Sequence, residues 1–187
     1  MKIFYINLVF VIMSSAIFFY SCQTKEISVA KNLYEQREYL LKEFKDKSII
    51  SRGEIFYQLS YYKGQSVNTF FFEKKGDALI FTNDTLQYPV NEIAAFVSVN
   101  IADSSNYSNA LSKELSRLLN VMNDLKIDNV RADFASVGVD MKIYFGDYKA
   151  LLYVQHPEDI KNERWKNYIS TGEKFDNNWY YVKDEMN

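Results

Sequence analysis

One cysteine, Cys22, one histidine, His156, and six glycines are all that this 187-residue chain has of those three residue types. A lone cysteine leaves no pair for an internal disulfide, and a lone histidine leaves no paired-histidine metal spacing. The sequence contains no glycine-rich phosphate loop, no dinucleotide fingerprint and no Gly-x-Ser-x-Gly elbow, so the usual enzyme signatures are missing. Neither sign of charge is in large excess: 22 Lys and Arg stand against 24 Asp and Glu, a formal net charge of −2. Such a balance offers no basic footprint to nucleic acid, which is therefore not an expected partner. No linker, residue-level repeat or low-complexity tract divides the chain.

What is present begins at Met1-Lys2, a short positive start, followed by Ile3 to Tyr20, apolar except for Asn7, Ser14 and Ser15. A segment of this kind directs a chain to its destination and takes no part in the fold. It closes on Phe19-Tyr20-Ser21-Cys22, and the polar Gln23-Thr24-Lys25-Glu26 follows. A small residue before a cysteine, at the end of a hydrophobic run, resembles a bacterial lipoprotein signal peptide; Phe19 and Tyr20 resemble the looser lipoboxes of Bacteroidetes-type bacteria. The resemblance covers the leader only. It implies cleavage before Cys22, diacylglycerol on the Cys22 sulfur, and Cys22 as the new N-terminus. With that sulfur acylated, no thiol would remain for nucleophilic catalysis or metal ligation.

The same run also admits an uncleaved anchor, because about 20 apolar residues at 1.5 Å each just span a bilayer core of about 30 Å. Both readings put everything after Cys22 outside the cytoplasm, since the lysine-bearing start stays on the cytoplasmic side. Gln23 stands where an aspartate would resemble an inner-membrane retention signal, which implies the outer membrane if the organism has one. The expected organisation is a signal peptide over 1–21, a lipidated cysteine with a tether over 22–26, and one domain over 27–187. So short a tether spans about 20 Å at most and keeps the domain near the bilayer.

Within the domain, Ile27, Ala30, Leu33, Tyr34, Leu40, Leu41 and Phe44 recur at the helical period, predicting a first amphipathic helix. Three β-like runs follow, Glu54 to Tyr62, Val67 to Glu73 and Ala78 to Thr82, separated by turns around Gly64 and Gly76. Residues 91–100 suit a helix in their first half and a strand in their second. A second helix from about Tyr107 to Leu125 carries the stripe Leu111, Leu115, Leu118, Leu119, Met122 and Leu125. A second meander is expected over Asn129 to Ala135, Val139 to Phe145 and Tyr148 to Gln155. Pro157 then opens a short helix through Trp165 and Tyr168, and Trp179 to Lys183 forms a last strand. The pattern predicts an α+β fold, with an antiparallel sheet of about six or seven strands packed with two main helices and one short helix.

His156 with Glu158 and Asp159 has the residue types of a metal or acid–base site. A Pro-started helix with acids at its positive end accounts for the same residues without chemistry. No catalytic residue, metal ligand or cofactor is therefore expected. The unusual feature is aromatic density on both faces of the strands: Phe56 and Tyr62 point opposite to Tyr57 and Tyr61, and Phe71 opposite to Phe70 and Phe72. A sheet covered on one face usually turns polar residues outward on the other. A second aromatic face is either covered by the remaining helix or receives a partner. Trp179 and Tyr181 pose the same choice between core and contact surface. Phe56, Tyr62, Phe71, Trp179 and Tyr181 are thus the candidate contact residues. The leading expectation is a non-catalytic binding or accessory module for another envelope or extracellular protein. The alternative is an envelope carrier or chaperone holding an apolar ligand in an aromatic-lined groove. A hydrolase comes third and would need converging carboxylates with perturbed pKa values.

Overall fold

The helical spacing of Ala30, Leu33, Leu40 and Phe44 does build a helix, but in two pieces. A computed structural model describes residues 27–82, 107–146 and 148–183, and in it residues 27–35 form α1 and Arg37–Phe44 form α2, with a turn at Gln36 between them. All four apolar residues are buried. Lys45 turns extended and Asp46 takes a left-handed φ of 62°, which swings the chain directly into a strand. Aspartate is one of the few residues with a side chain that accept this conformation readily.

One antiparallel sheet of nine strands runs in the order β4-β3-β2-β1-β5-β6-β7-β9-β8. Its strands are β1 Lys47–Arg52, β2 Phe56–Lys63, β3 Ser66–Lys75, β4 Ala78–Phe81, β5 Asn129–Arg131, β6 Met141–Tyr144, β7 Lys149–Tyr153, β8 Glu173–Lys174 and β9 Trp179–Lys183. Helix α3, Tyr107–Leu125, lies in sequence between β4 and β5, and α4, Glu163–Ser170, between β7 and β8. The α+β class with an antiparallel sheet is as expected, whereas the described residues form nine strands in place of six or seven and four α-helices in place of three. Both added strands are weak local signals. β1 has only Ile49 and Ile50 between polar ends, and β8 is a two-residue charged piece defined by its pairing with Tyr180 and Tyr181. The ambiguous stretch 91–100 lies outside the described residues.

The hairpin turns form where the sequence puts them. Gly64 and Gly76 each open a two-residue loop with φ of 61°, a conformation that costs glycine nothing. Two boundaries differ from expectation by more than two residues. The strand expected over 129–135 stops at Arg131, because Ala135–Val137 wind into a 3-10 turn ended by Gly138. Pro157 starts only a 3-10 turn, and α4 begins after Asn162, whose side chain accepts a hydrogen bond from the Trp165 N–H at 3.2 Å. Asparagine at that position satisfies an N–H group that the helix itself cannot.

The single pairing Ile49↔Val130 joins two meanders, β1–β4 and β5–β9, into one sheet. On its first face Ile49, Leu59, Phe70, Phe72, Val130, Ile143 and Leu151 form one core with Leu33, Leu40 and Phe44 of the first two helices and Leu111, Leu115, Leu118 and Met122 of α3. Each such leucine contributes roughly 1.5–3 kcal/mol by leaving water. On the second face, a separate core joins Ala150, Leu152, Tyr180 and Val182 of β7 and β9 to Trp165, Tyr168 and Ile169 of α4. Among the described residues, that core includes none from β1–β4.

Candidate functional site

Strand alternation and register set the second face of β2–β4. Phe56, Gln58, Ser60 and Tyr62 lie opposite Glu73, Phe71, Thr69 and Val67, and Ile80 of β4 lies opposite Glu73. Phe56 and Phe71 are therefore diagonal neighbours across the β2–β3 pair, within reach of one another's rings. Their side chains are not withdrawn: Phe56 is 47% and Phe71 43% exposed, with Val67 at 50% and Ile80 at 42%. Between these apolar groups runs a polar row that satisfies itself. Arg52 donates to Gln58 at 2.8 Å, Gln58 Nε2 donates to Ser60 Oγ at 3.1 Å, and the Ser60 and Thr69 hydroxyls share a bond of 2.9 Å. Beside it, the Ser48 hydroxyl donates to the Tyr62 hydroxyl at 3.4 Å and accepts from the Ala132 N–H at 2.8 Å. Glu73 pairs with Lys75 at 3.2 Å. The arrangement combines apolar contact area with a fixed polar stripe, and it can recognise a surface.

Of the five residues singled out from the sequence, Phe56, Tyr62 and Phe71 thus share one face of two adjacent strands. Trp179 and Tyr181 lie on the other face, in the distant half of the sheet, and are buried. Trp179 packs edge-on to Tyr34 and against Tyr153, with ring centroids 6.5 and 5.1 Å apart, and Tyr181 packs on Phe145. Their role there is core. Val67 and Ile80 were missed in the sequence, although the alternation that exposes Phe71 also exposes both. Cys22 lies outside the described residues.

Elsewhere, one cluster of charged groups links α3 to α2. Arg117 of α3 holds Glu114 with two nitrogens, at 2.8 and 2.9 Å, and reaches Glu43 of α2 at 2.6 Å. The bonds to Glu114 raise the guanidinium pKa further, against the effect of burial. Nearby, burial lowers the pKa of Lys47, with Glu114 and Glu43 opposing it, and burial raises that of Tyr61. Lys142 of β6 is the least expected buried group: its side chain is 1% exposed, and its ammonium lies 4.6 Å from the ring centre of Tyr144 and 5.1 Å from that of Tyr168. Phe134 and Trp165 stand at 5.7 Å, completing an aromatic enclosure in which cation–π attraction replaces part of the lost hydration. No sequence spacing marks it, because the rings come from three separate segments.

His156 lies 3.5 Å from Glu158 at the surface, beside a groove of about 640 Å³ bordered by Ser136, Asp140 and Asp159. Among the described residues no three of His, Cys, Asp and Glu are placed to hold a metal ion. Nor is any described helix long and apolar enough to cross a membrane. No family model, curated protein or solved structure matches the chain.

Proposed function

We propose that this is an extracytoplasmic lipoprotein, tethered to the membrane through Cys22, whose domain binds another envelope or extracellular protein without catalysing a reaction. The observation supporting the binding role is the surface made by Phe56, Phe71, Val67 and Ile80 on one face of β2–β4. Large apolar side chains gathered on an exposed face lose their contact with water when a partner covers them, and aromatic groups concentrate binding energy. The self-satisfied row of Gln58, Ser60 and Thr69 adds specificity, since a partner must match it without stranding a polar group. Contact side chains standing on strand faces favour a broad protein surface over an apolar ligand in a groove.

A photo-reactive amino acid in place of Phe71, in the full chain expressed in its own cells, tests the surface. The expected result is a discrete adduct with one envelope or extracellular protein, lost when Phe56→Asp is added. A diffuse set of adducts unaffected by Phe56→Asp would refute the surface. The anchor has its own test: Cys22→Ala abolishes incorporation of a labelled fatty acid and frees the protein from the membrane, whereas labelling that survives refutes lipidation there.

A further inference from the structure

Among the described residues, the first face of the same half-sheet is not filled to its end. Where α3 approaches its C-terminus, a groove of about 470 Å³ opens between the helix and β1–β4, within the usual range for a small-ligand site. Register puts Ser51 opposite Tyr57, Tyr57 opposite the buried Phe72, and Lys74 opposite Leu79, all on this face. The floor is apolar, with Ile49, Met122 and Ile127 buried and Leu119 half-buried. One wall carries the half-buried ring of Tyr57, and the rim carries Asn120 and Asn123 from α3, Asp77 from the β3–β4 turn, and Asp128.

This chemistry selects its ligand class. One lysine against two aspartates gives the rim no attraction for a phosphate or another anion. An acyl chain would use the apolar floor but none of the amides and carboxylates of the rim, whereas a ligand with its own hydroxyls would use both. A sugar ring has both kinds of surface required: a C–H face that packs on a tyrosine ring and an apolar floor, and edge hydroxyls that donate to carboxylates and exchange bonds with amides. We infer that the groove between α3 and β1–β4 binds a neutral sugar unit. It lies on the opposite face from Phe56 and Phe71, so the two sites can be occupied at once, and this inference stands apart from the protein-binding surface.

Saturation-transfer NMR on the full chain tests it, with methyl glycosides of glucose, galactose, mannose and N-acetylglucosamine as the neutral probes and glucuronate and inorganic phosphate as the anionic ones. At least one neutral glycoside is expected to receive saturation on its ring protons. Tyr57→Ala should abolish that transfer, and Asn123→Ala, at an exposed position where folding is not at stake, should weaken binding about tenfold. Phe71→Ser should leave it unchanged. Transfer to none of the glycosides, preference for the anions, or transfer that persists at full strength in Asn123→Ala and Tyr57→Ala would each overturn the assignment.

Discussion

Among the described residues, the two halves of the sheet differ most on the second face. On the first face, β1–β4 and β5–β9 contribute to a common core beneath α1–α3. On the second, the β6–β9 half carries Ala150, Leu152, Tyr180 and Val182 under α4, while the β1–β3 half carries Gln58, Ser60 and Thr69 in a hydrogen-bonded row with aromatic groups beside it. Strand residues thus follow what covers them. Where a helix lies overhead the face is apolar enough to enclose even Lys142 in rings, and in the other half the polar groups bond to each other. The exposed Phe56 and Phe71 are the exception to that rule, and the proposed contact surface is built on them.

The comparison breaks most readily at Trp165, which is 8% exposed and belongs both to the second core and to the Lys142 enclosure. Trp165→Ala should cost about 3–5 kcal/mol in urea unfolding, with faster amide exchange concentrated in α4 and β9 and little change in β2 and β3. Exchange that rises equally across the sheet would mean the two halves unfold as one unit. Leu115, fully buried on the inner stripe of α3, probes the shared core instead. Leu115→Ala should cost about 2–5 kcal/mol and accelerate exchange in both halves. A loss under about 0.5 kcal/mol would contradict the packing of the α3 stripe.

That stripe was legible from the sequence because it needs nothing beyond itself: Leu111, Leu115, Leu118 and Met122 recur every three or four residues and are all buried. The glycine turns were legible for the same reason, since a two-residue hairpin demands a positive φ at a defined place. β8 was not, because Glu173-Lys174 has no apolar signal and exists through β9. The start of α4 was misplaced because Pro157 is the louder signal and Asn162 the true cap. Which half of the second face is covered was also beyond reach, as it depends on where α4 comes to rest. The exposed face was half legible, through the alternation of Phe56 and Phe71. The sugar groove was not, since Ser51, Tyr57, Lys74, Asn120 and Asp128 come from separate elements with no common spacing.

A smaller effect ties α1 to the far half of the sheet. The Asp176 carboxylate accepts from the Tyr34 hydroxyl at 2.9 Å and from the N–H groups of Asn178 and Trp179, both at 2.8 Å. Burial pushes the carboxyl pKa up, but these bonds outweigh it and hold it below the ordinary carboxylate value. A depressed pKa stabilises the fold above the unfolded-state value, and that contribution is lost as pH falls through the folded-state one. Asp176→Ala should therefore lower the thermal midpoint at neutral pH, and the gap from the parent chain should narrow as the solution is acidified below about pH 4. A gap that stays constant down to pH 2 would show that the carboxylate charge contributes nothing.

The smallest expected effect on stability belongs to Phe71→Ser, and its smallness carries the argument. A ring 43% exposed on a strand face has little apolar area to lose, and surface substitutions away from caps, cores and buried networks usually change stability by less than about 0.5 kcal/mol. Binding is affected differently: truncating an aromatic anchor at the centre of an interface commonly costs about 2 kcal/mol or more of affinity. Phe71→Ser should then leave the urea midpoint almost unmoved while the partner adduct formed from a photo-reactive group at position 56 disappears. The informative contrary outcome is a destabilisation above about 2 kcal/mol. The ring would then be packed by its own chain, the second face would be closed in both halves of the sheet, and the contact surface would have to be sought elsewhere.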